Sequence, residues 1–273
     1  MQLLFQSKKI KWPLVLIAWG FMIILLILPI ALVITQAFST GFSHYLIVLA
    51  SPNTLHAINL TIAATVVSVF VNLIIGVSAA WIIAFHDFPG KRLLNTLIDL
   101  PFSVSPVIAG LIFILTFSRT GWFYPVLQSL NIQIIFAPPA IFLATIFVTF
   151  PFVARELIPV LEARGREEEQ TAAFLGANLT DIFMQITFPA IKTPLLTGMV
   201  LATARAMGEF GAVAVVSGNI PGKTLTLPLL VQSLYDQFKF PDAFAVATIL
   251  LIFTFLIVFL QRLLIGPKQF QKG

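Results

Sequence analysis

Glu167-Glu168-Glu169-Gln170-Thr171-Ala172-Ala173-Phe174-Leu175-Gly176, followed by Ile186-Thr187-Phe188-Pro189, is a long polar interruption in a chain that is otherwise nearly all apolar. Small residues at 171 to 173, a glycine at 176 and a second amphipathic turn carrying Ile182, Phe183 and Ile186 predict two short helices joined at Gly176. Glycine is the residue type that most easily takes the left-handed conformation that ends a helix. Two readings fit the stretch. It is a docking surface, where short side chains let another protein's backbone come close and Phe174, Leu175 and Phe183 act as knobs for an apolar cleft, or it is a plain solvated hairpin, as charge runs usually are.

Working outward, composition decides what flanks the interruption. With 59% hydrophobic and 10% charged residues, and a mean hydropathy of +1.00, the chain falls far below the roughly 25% charge of a soluble globule. It reads as an integral membrane protein. The absence of cysteine excludes disulfides, thiolate metal sites and a cysteine nucleophile, and His44, His56 and His86 lack the spacing of a zinc helix. The net charge of +5 does not signal nucleic acid, because the basic residues flank membrane segments.

Six apolar runs reach or approach the roughly 20 residues needed to cross a hydrocarbon core. They fall at about Leu14 to Thr35, Leu60 to Phe85, Leu97 to Phe117, Ala140 to Ala154, Leu195 to Val216 and Phe244 to Leu264. The fourth is the shortest and carries Pro151 near its end; Pro101 and Pro106 are expected to bend or break the first turns of the third. Lys8, Lys9 and Lys11 precede the first run as in a signal peptide, but its length and flanks predict an uncleaved span. With the N-terminus inside, the cytoplasmic side collects Lys8, Lys9, Lys11, Lys91, Arg92, Arg155, Arg164, Arg166, Lys192, Arg262, Lys268 and Lys272. The outer loops hold only Arg119, Lys223 and Lys239. The positive-inside rule then puts both termini and the Glu167 loop in the cytoplasm of a multi-pass membrane protein. Residues 1–273 read as a single membrane domain, with the cytoplasmic loop at about 158–193.

Arg205 and Glu209 are four residues apart near the middle of the fifth run, on one helical face. A charge at that depth costs roughly 2.5–3.5 kcal/mol. The small residues around them, from Gly198 to Ala214, suit a helix packed tightly on its neighbours. The pair therefore reads either as the lining of a polar pathway or as a structural ion pair closing a bundle. Asp99, just before Pro101, suits the start of the third span and needs no further role. Gly218-Asn219-Ile220-Pro221-Gly222-Lys223-Thr224 is one residue short of a phosphate-binding loop and has a proline where a donor is needed, so it reads as an outer loop. No hydrolytic grouping or metal set stands out.

The Gln170 to Pro189 region resembles the "EAA" loop of binding-protein-dependent ABC importer permeases: Gln170, Thr171 and Ala172 stand at its first three positions, followed at the right spacing by Gly176, Ile186, Phe188 and Pro189. Gln170 takes the glutamate's place, and Glu169 next door is the candidate substitute. Asp99-Leu100-Pro101-Phe102-Ser103-Val104-Ser105-Pro106, Arg205-Ala206-Met207-Gly208-Glu209-Phe210-Gly211-Ala212 and Ser217-Gly218-Asn219-Ile220 together are similar to the sulfate and molybdate permeases. Ser217 through Leu229 is most similar to the CysW-type subunits of sulfate/thiosulfate importers. The resemblance runs from about residue 10 to 265. It implies an all-α, MetI-like permease fold with about six transmembrane helices and no catalytic site or bound cofactor of its own. Its implied partners are ATP-binding subunits that hold ATP and Mg, a second, CysT-type permease and a periplasmic sulfate-binding protein, with membrane lipid around them and no nucleic acid. Glu169, Gln170, Thr171, Ala172, Ala173, Phe174, Gly176, Ile186 and Pro189 become the expected ATPase-coupling residues, and Arg205 and Glu209 the candidate pathway. The alternatives are a molybdate or tungstate permease and a secondary transporter; the latter would usually show internal repeats and needs no docking loop.

Overall fold

The computed structural model describes residues 8–265. Lys268, Lys272 and both chain ends, which the charge count assigns to the cytoplasm, lie outside the described residues. Backbone groups in hydrocarbon have no water to bond, so an apolar run closes its hydrogen bonds within itself. The described elements are accordingly all helical. They are α1 (Lys8–Met22), α2 (Leu28–Ala37), α3 (Phe42–Leu49), α4 (Pro52–Phe85), α5 (Lys91–Ser103), α6 (Pro106–Phe117), α7 (Tyr124–Ser129), α8 (Pro138–Thr149), α9 (Pro151–Arg164), α10 (Glu167–Phe174), α11 (Leu179–Ile182), α12 (Phe188–Met207), α13 (Gly211–Ser217), α14 (Leu227–Asp236) and α15 (Phe240–Ile265). Two π turns, Ile23–Ile27 and Phe183–Thr187, join α1 to α2 and α11 to α12.

Among the described residues five helical stretches are long and apolar enough to span, Lys11–Ala37, Pro52–Phe85, Pro138–Arg164, Leu179–Met207 and Phe240–Leu263, and the bent pair α5 and α6 makes a sixth if taken as one span. Prolines account for most departures from the expected spans. The third is not one helix: α5 and α6 meet at 110°. Pro101 is absorbed within α5, and the chain breaks before Pro106, where Val104 and Ser105 are extended as a residue before proline prefers. The fourth is longer than expected, because Phe150 stays helical and Pro151 sits in the first turn of α9, where it needs no donor. The fifth is interrupted at Gly208–Phe210. Pro29 and Pro189 follow the two π turns, in which the residue before each proline donates five residues back, Leu28 to Ile23 and Phe188 to Phe183.

Two apolar clusters hold the bundle. One gathers Ala57, Leu60 and Ala64 of α4, Ile141 and Ala144 of α8, and Val213, Leu227 and Val246. The other gathers Ala80 and Ile83 of α4 with Val153, Leu157 and Leu161 of α9 and Ile98 and Ile191. Between them runs a polar waist of buried Thr65, Ser68 and Asn72 on α4 and Thr145 and Thr149 on α8. Asn72 crosses it, donating to Thr149 Oγ1 at 2.7 Å and to the Ile146 carbonyl at 3.2 Å. Lipid gives helices little reason to associate except close packing, so small residues sit at the contacts. Val153 is wedged between two of them: a Cβ at Gly76 would lie 2.9 Å from Val153 Cβ, and one at Gly198 would lie 2.9 Å from Val153 Cα.

Candidate functional site: a coupling loop and a broken span

The loop around Glu167 is built by its end signals. Three glutamates occupy the first turn of α10, the end of a helix that favours negative charge. After α10 the chain turns on Gly176 at φ +87°. Gly176 N donates to Ala173 O and Ala177 N to Ala172 O, both at 3.0 Å, the paired bonds that close a helix on a left-handed glycine. Asn178 then caps α11, its Oδ1 accepting from Asp181 N at 2.8 Å. The predicted turn at Gly176 is present. The predicted second short helix is not separate, since α11 continues through the π turn into α12.

Phe174, Leu175 and Leu179 crown this turn at 91%, 83% and 85% exposure. Leu179 was not anticipated; a helix beginning directly after the glycine turn is the signal that would have found it. Of the expected coupling residues, Gln170, Thr171, Ala173, Phe174, Gly176 and Pro189 are exposed, and Ala172 and Ile186 are half-buried. Glu169 departs from expectation. It is 8% exposed, and its Oε1 accepts from Thr187 Oγ1 at 2.6 Å. Its other oxygen lies 3.9 Å from Arg166 Nε, while the Arg166 guanidinium lies 5.3 Å from the Phe85 ring centre at the end of α4. Glu169 thus points inward and braces α10 against the entry to α12.

Arg205 and Glu209 do meet, with Arg205 Nη1 2.5 Å from Glu209 Oε2. They do not share one continuous helical face, however. α12 ends at Met207, and Glu209 lies in the break before α13. Its Oε1 accepts from Ala212 N at 2.8 Å, so the carboxylate caps the first turn of α13 as well as pairing with Arg205. The two side chains differ in access: 34% of Arg205 is exposed, against 1% of Glu209. Arg205 is 13 residues beyond Lys192, or about 20 Å along a helix at ~1.5 Å per residue, which keeps it deep in the span. Beyond the break, α13 lies on α6 through two glycines. A Cβ on Gly110 would come within 2.8 Å of the Ala212 carbonyl, and one on Gly211 within 3.1 Å of Pro106 Cβ.

Asp99 has a partner that its position in the sequence did not disclose. Arg155 Nε donates to Asp99 Oδ1 at 2.5 Å, Nη2 donates to Oδ2, and Nη2 also reaches the Asn95 carbonyl at 3.1 Å, clasping α5 to α9. Opposite charges at the ends of two apolar runs were the available clue. The 217–226 loop is knitted internally: Thr224 Oγ1 donates to Ser217 O at 2.8 Å and accepts from Ile220 N at 3.0 Å. Among the described residues no group of three His, Cys, Asp or Glu could hold a metal.

Residues 72–268 match the family described as "Binding-protein-dependent transport system inner membrane component". The chain is similar to the sulfate transport system permease protein CysW of Synechococcus elongatus, with 49% identity over 90% of this chain and 86% of that one. It is 43% identical to CysW of Escherichia coli over 93% and 87% of the two chains, and 32% identical to CysT of Synechocystis over 95% and 90%. A chain of a bacterial alginate ABC transporter crystal structure superposes with a TM-score of 0.77, covering 98% of each chain at 17% identity.

Proposed function

Because the chain belongs to the binding-protein-dependent transport system inner membrane components, we propose that it is a permease subunit of an ATP-driven sulfate importer, one that also accepts thiosulfate. The observation that carries this is 43–49% identity to sulfate permeases over about nine-tenths of the chain. Sulfate is delivered from outside by a soluble binding protein. The pathway lies between this subunit and a related, CysT-type permease, for which the 32% identity to such a chain is the support. Two partner ATP-binding subunits hold ATP and Mg and perform the hydrolysis, with both ends of this chain and its coupling loop on their side of the membrane.

The geometry favours a division of labour within the subunit. Phe174, Leu175 and Leu179, exposed around the glycine turn, are the knobs gripped by an ATP-binding subunit, with Gln170, Thr171, Ala172, Ala173, Ile186 and Pro189 forming the surrounding face. Glu169 holds that face at its angle. Deep in the membrane, Arg205 offers the accessible cation, while Glu209 keeps the guanidinium in position and caps α13. ATP drives transport because the ATP-binding subunits contact the loop differently in their open and closed states, and only differential contact shifts a conformational equilibrium.

Uptake of labelled sulfate into proteoliposomes containing this chain and its partners tests the reading. Uptake should require ATP and the binding protein, and unlabelled thiosulfate should compete. Arg205→Met should lower the rate at least tenfold in a complex that still assembles. Preferential uptake of molybdate, or uptake driven without ATP, would refute the assignment.

A further inference from the structure

Beside Glu209 the packing leaves a cavity of about 10 Å³ where α4, α8, the α12–α13 break and the start of α14 meet. Its polar walls are Thr61, Thr145, Glu209 and Thr226, whose exposures of 3%, 1%, 2% and 4% remove them from bulk solvent. A void of roughly 10–15 Å³ is about the minimum that holds one water, and a buried water needs two to four polar partners.

The hydrogen-bond inventory of these walls is incomplete in a specific way. Glu209 Oε1 is occupied by Ala212 N. Glu209 Oε2 lies near Arg205 but accepts no aligned hydrogen bond, and Thr226 Oγ1 has no partner. Thr226 precedes α14, where a threonine commonly caps the helix with its own oxygen, yet it makes no such bond. Thr61 of α4 does that work, accepting from Leu227 N at 2.8 Å. The Thr61 proton is a separate donor, and it has no acceptor among the described residues. Thr145 donates to the Ile141 carbonyl at 2.8 Å and keeps its lone pairs. Among the described residues the Thr61 and Thr226 protons have no acceptor, Thr145 Oγ1 has no donor, and Glu209 Oε2 has only the Arg205 guanidinium beside it, out of line for a hydrogen bond.

We propose that one water molecule fills this cavity, accepting from Thr61 and Thr226 and donating to Glu209 Oε2 and Thr145 Oγ1. Its two protons and two lone pairs match these four open positions, and Thr226 Oγ1, which has no other partner, gains one. A sodium ion would suit the oxygens but not their surroundings, because the Arg205 guanidinium already neutralises the only carboxylate, 2.5 Å away. An anion would face that carboxylate. The water joins four segments at the interruption of the spanning helix, so the break is bridged by a hydrogen-bonded hub that can re-form when those segments move. This holds whichever anion the subunit carries.

The test is a map of the assembled transporter at a resolution that shows ordered water, for the wild type and for Thr226→Val and Thr226→Ser. One peak should lie about 2.5–3.0 Å from each of the four oxygens, the ordinary O–H···O range. It should be lost in Thr226→Val, which keeps the shape and removes the hydroxyl, and kept in Thr226→Ser. An empty cavity in the wild type overturns the proposal even if neither variant assembles. So does a peak unchanged in Thr226→Val, or one that appears only in sodium-containing buffer with the shorter contacts of a cation.

Discussion

Glu169→Ala separates a coupling loop aimed from within from one that is merely exposed. The substitution takes away the acceptor 2.6 Å from Thr187 Oγ1, and Thr187 is itself only 2% exposed. A hydrogen bond to a charged group is worth about 1.5–3 kcal/mol. The Arg166 contact at 3.9 Å, made by a side chain that is 42% exposed, adds about 0–1 kcal/mol. A loss near 2 kcal/mol changes an equilibrium about 30-fold. If the brace holds α10 in its docking pose, that pose becomes rarer by this factor, and the apparent affinity for the ATP-binding subunits falls with it. Titrating purified ATP-binding subunits onto the permease pair in nanodiscs should therefore show Kd raised about 10- to 30-fold for Glu169→Ala, with sulfate moved per ATP hydrolysed falling too. Glu169→Gln keeps an acceptor for Thr187 and should stay within about fivefold of the wild type, since a neutral bond recovers roughly half of a charge-assisted one and leaves a loss of about 1 kcal/mol. Equal Kd for all three proteins would refute the brace.

Two further outcomes follow from the site geometry. Glu209→Ala removes both the Arg205 partner and the Ala212 cap and should destabilise the assembled complex by about 3–5 kcal/mol; Glu209→Gln, which preserves the cap, should cost about 1–3 kcal/mol less. Thermal unfolding in detergent measures both. Gly176→Val places a β-branched residue at φ +87°, a strain of about 1–3 kcal/mol, although nothing lies within 4 Å of the added Cβ. Membrane insertion should be normal and binding of the ATP-binding subunits lost, while Gly176→Asn, which tolerates positive φ better, should retain most of it.

The helical class and the turn of the Glu167 loop were legible because they rest on composition and on single decisive residues, above all Gly176. Span limits were less so. The fifth expected span runs on through Gly208-Glu209-Phe210 and the fourth through Phe150-Pro151, yet the first breaks the helix and the second does not. The difference comes from what packs there: Gly211 is seated against Pro106, a relation between distant parts of the chain, and Glu209 turns back to cap Ala212 N three residues on. Asp99 with Arg155 and Glu169 with Thr187 are invisible for the same reason, since a carboxylate's direction is set by a partner tens of residues away or across a turn. The polar stripe of α4 was readable in principle. Thr54, Thr61, Thr65, Ser68 and Asn72 recur at helical spacing, and a search for polar rather than apolar periodicity would have found the face that becomes the waist.

The π turn at Phe183–Thr187 sets a bearing for everything N-terminal to it. An α-helix advances about 100° per residue, so the one-residue surplus of a π turn rotates the Glu167 loop by roughly that angle relative to the face of α12 that a helical wheel would assign. Phe183 and Phe188 record the offset: five residues apart, their rings lie 6.1 Å from each other, where an unbroken α-helix would splay them about 140° apart. Deleting one residue between 183 and 187 would let the helix run true while turning Phe174, Leu175 and Leu179 about a quarter-turn off their mark. The compass of the docking face is thus held by a single extra residue, and a length-preserving alignment is the condition for carrying contacts from one such permease to another.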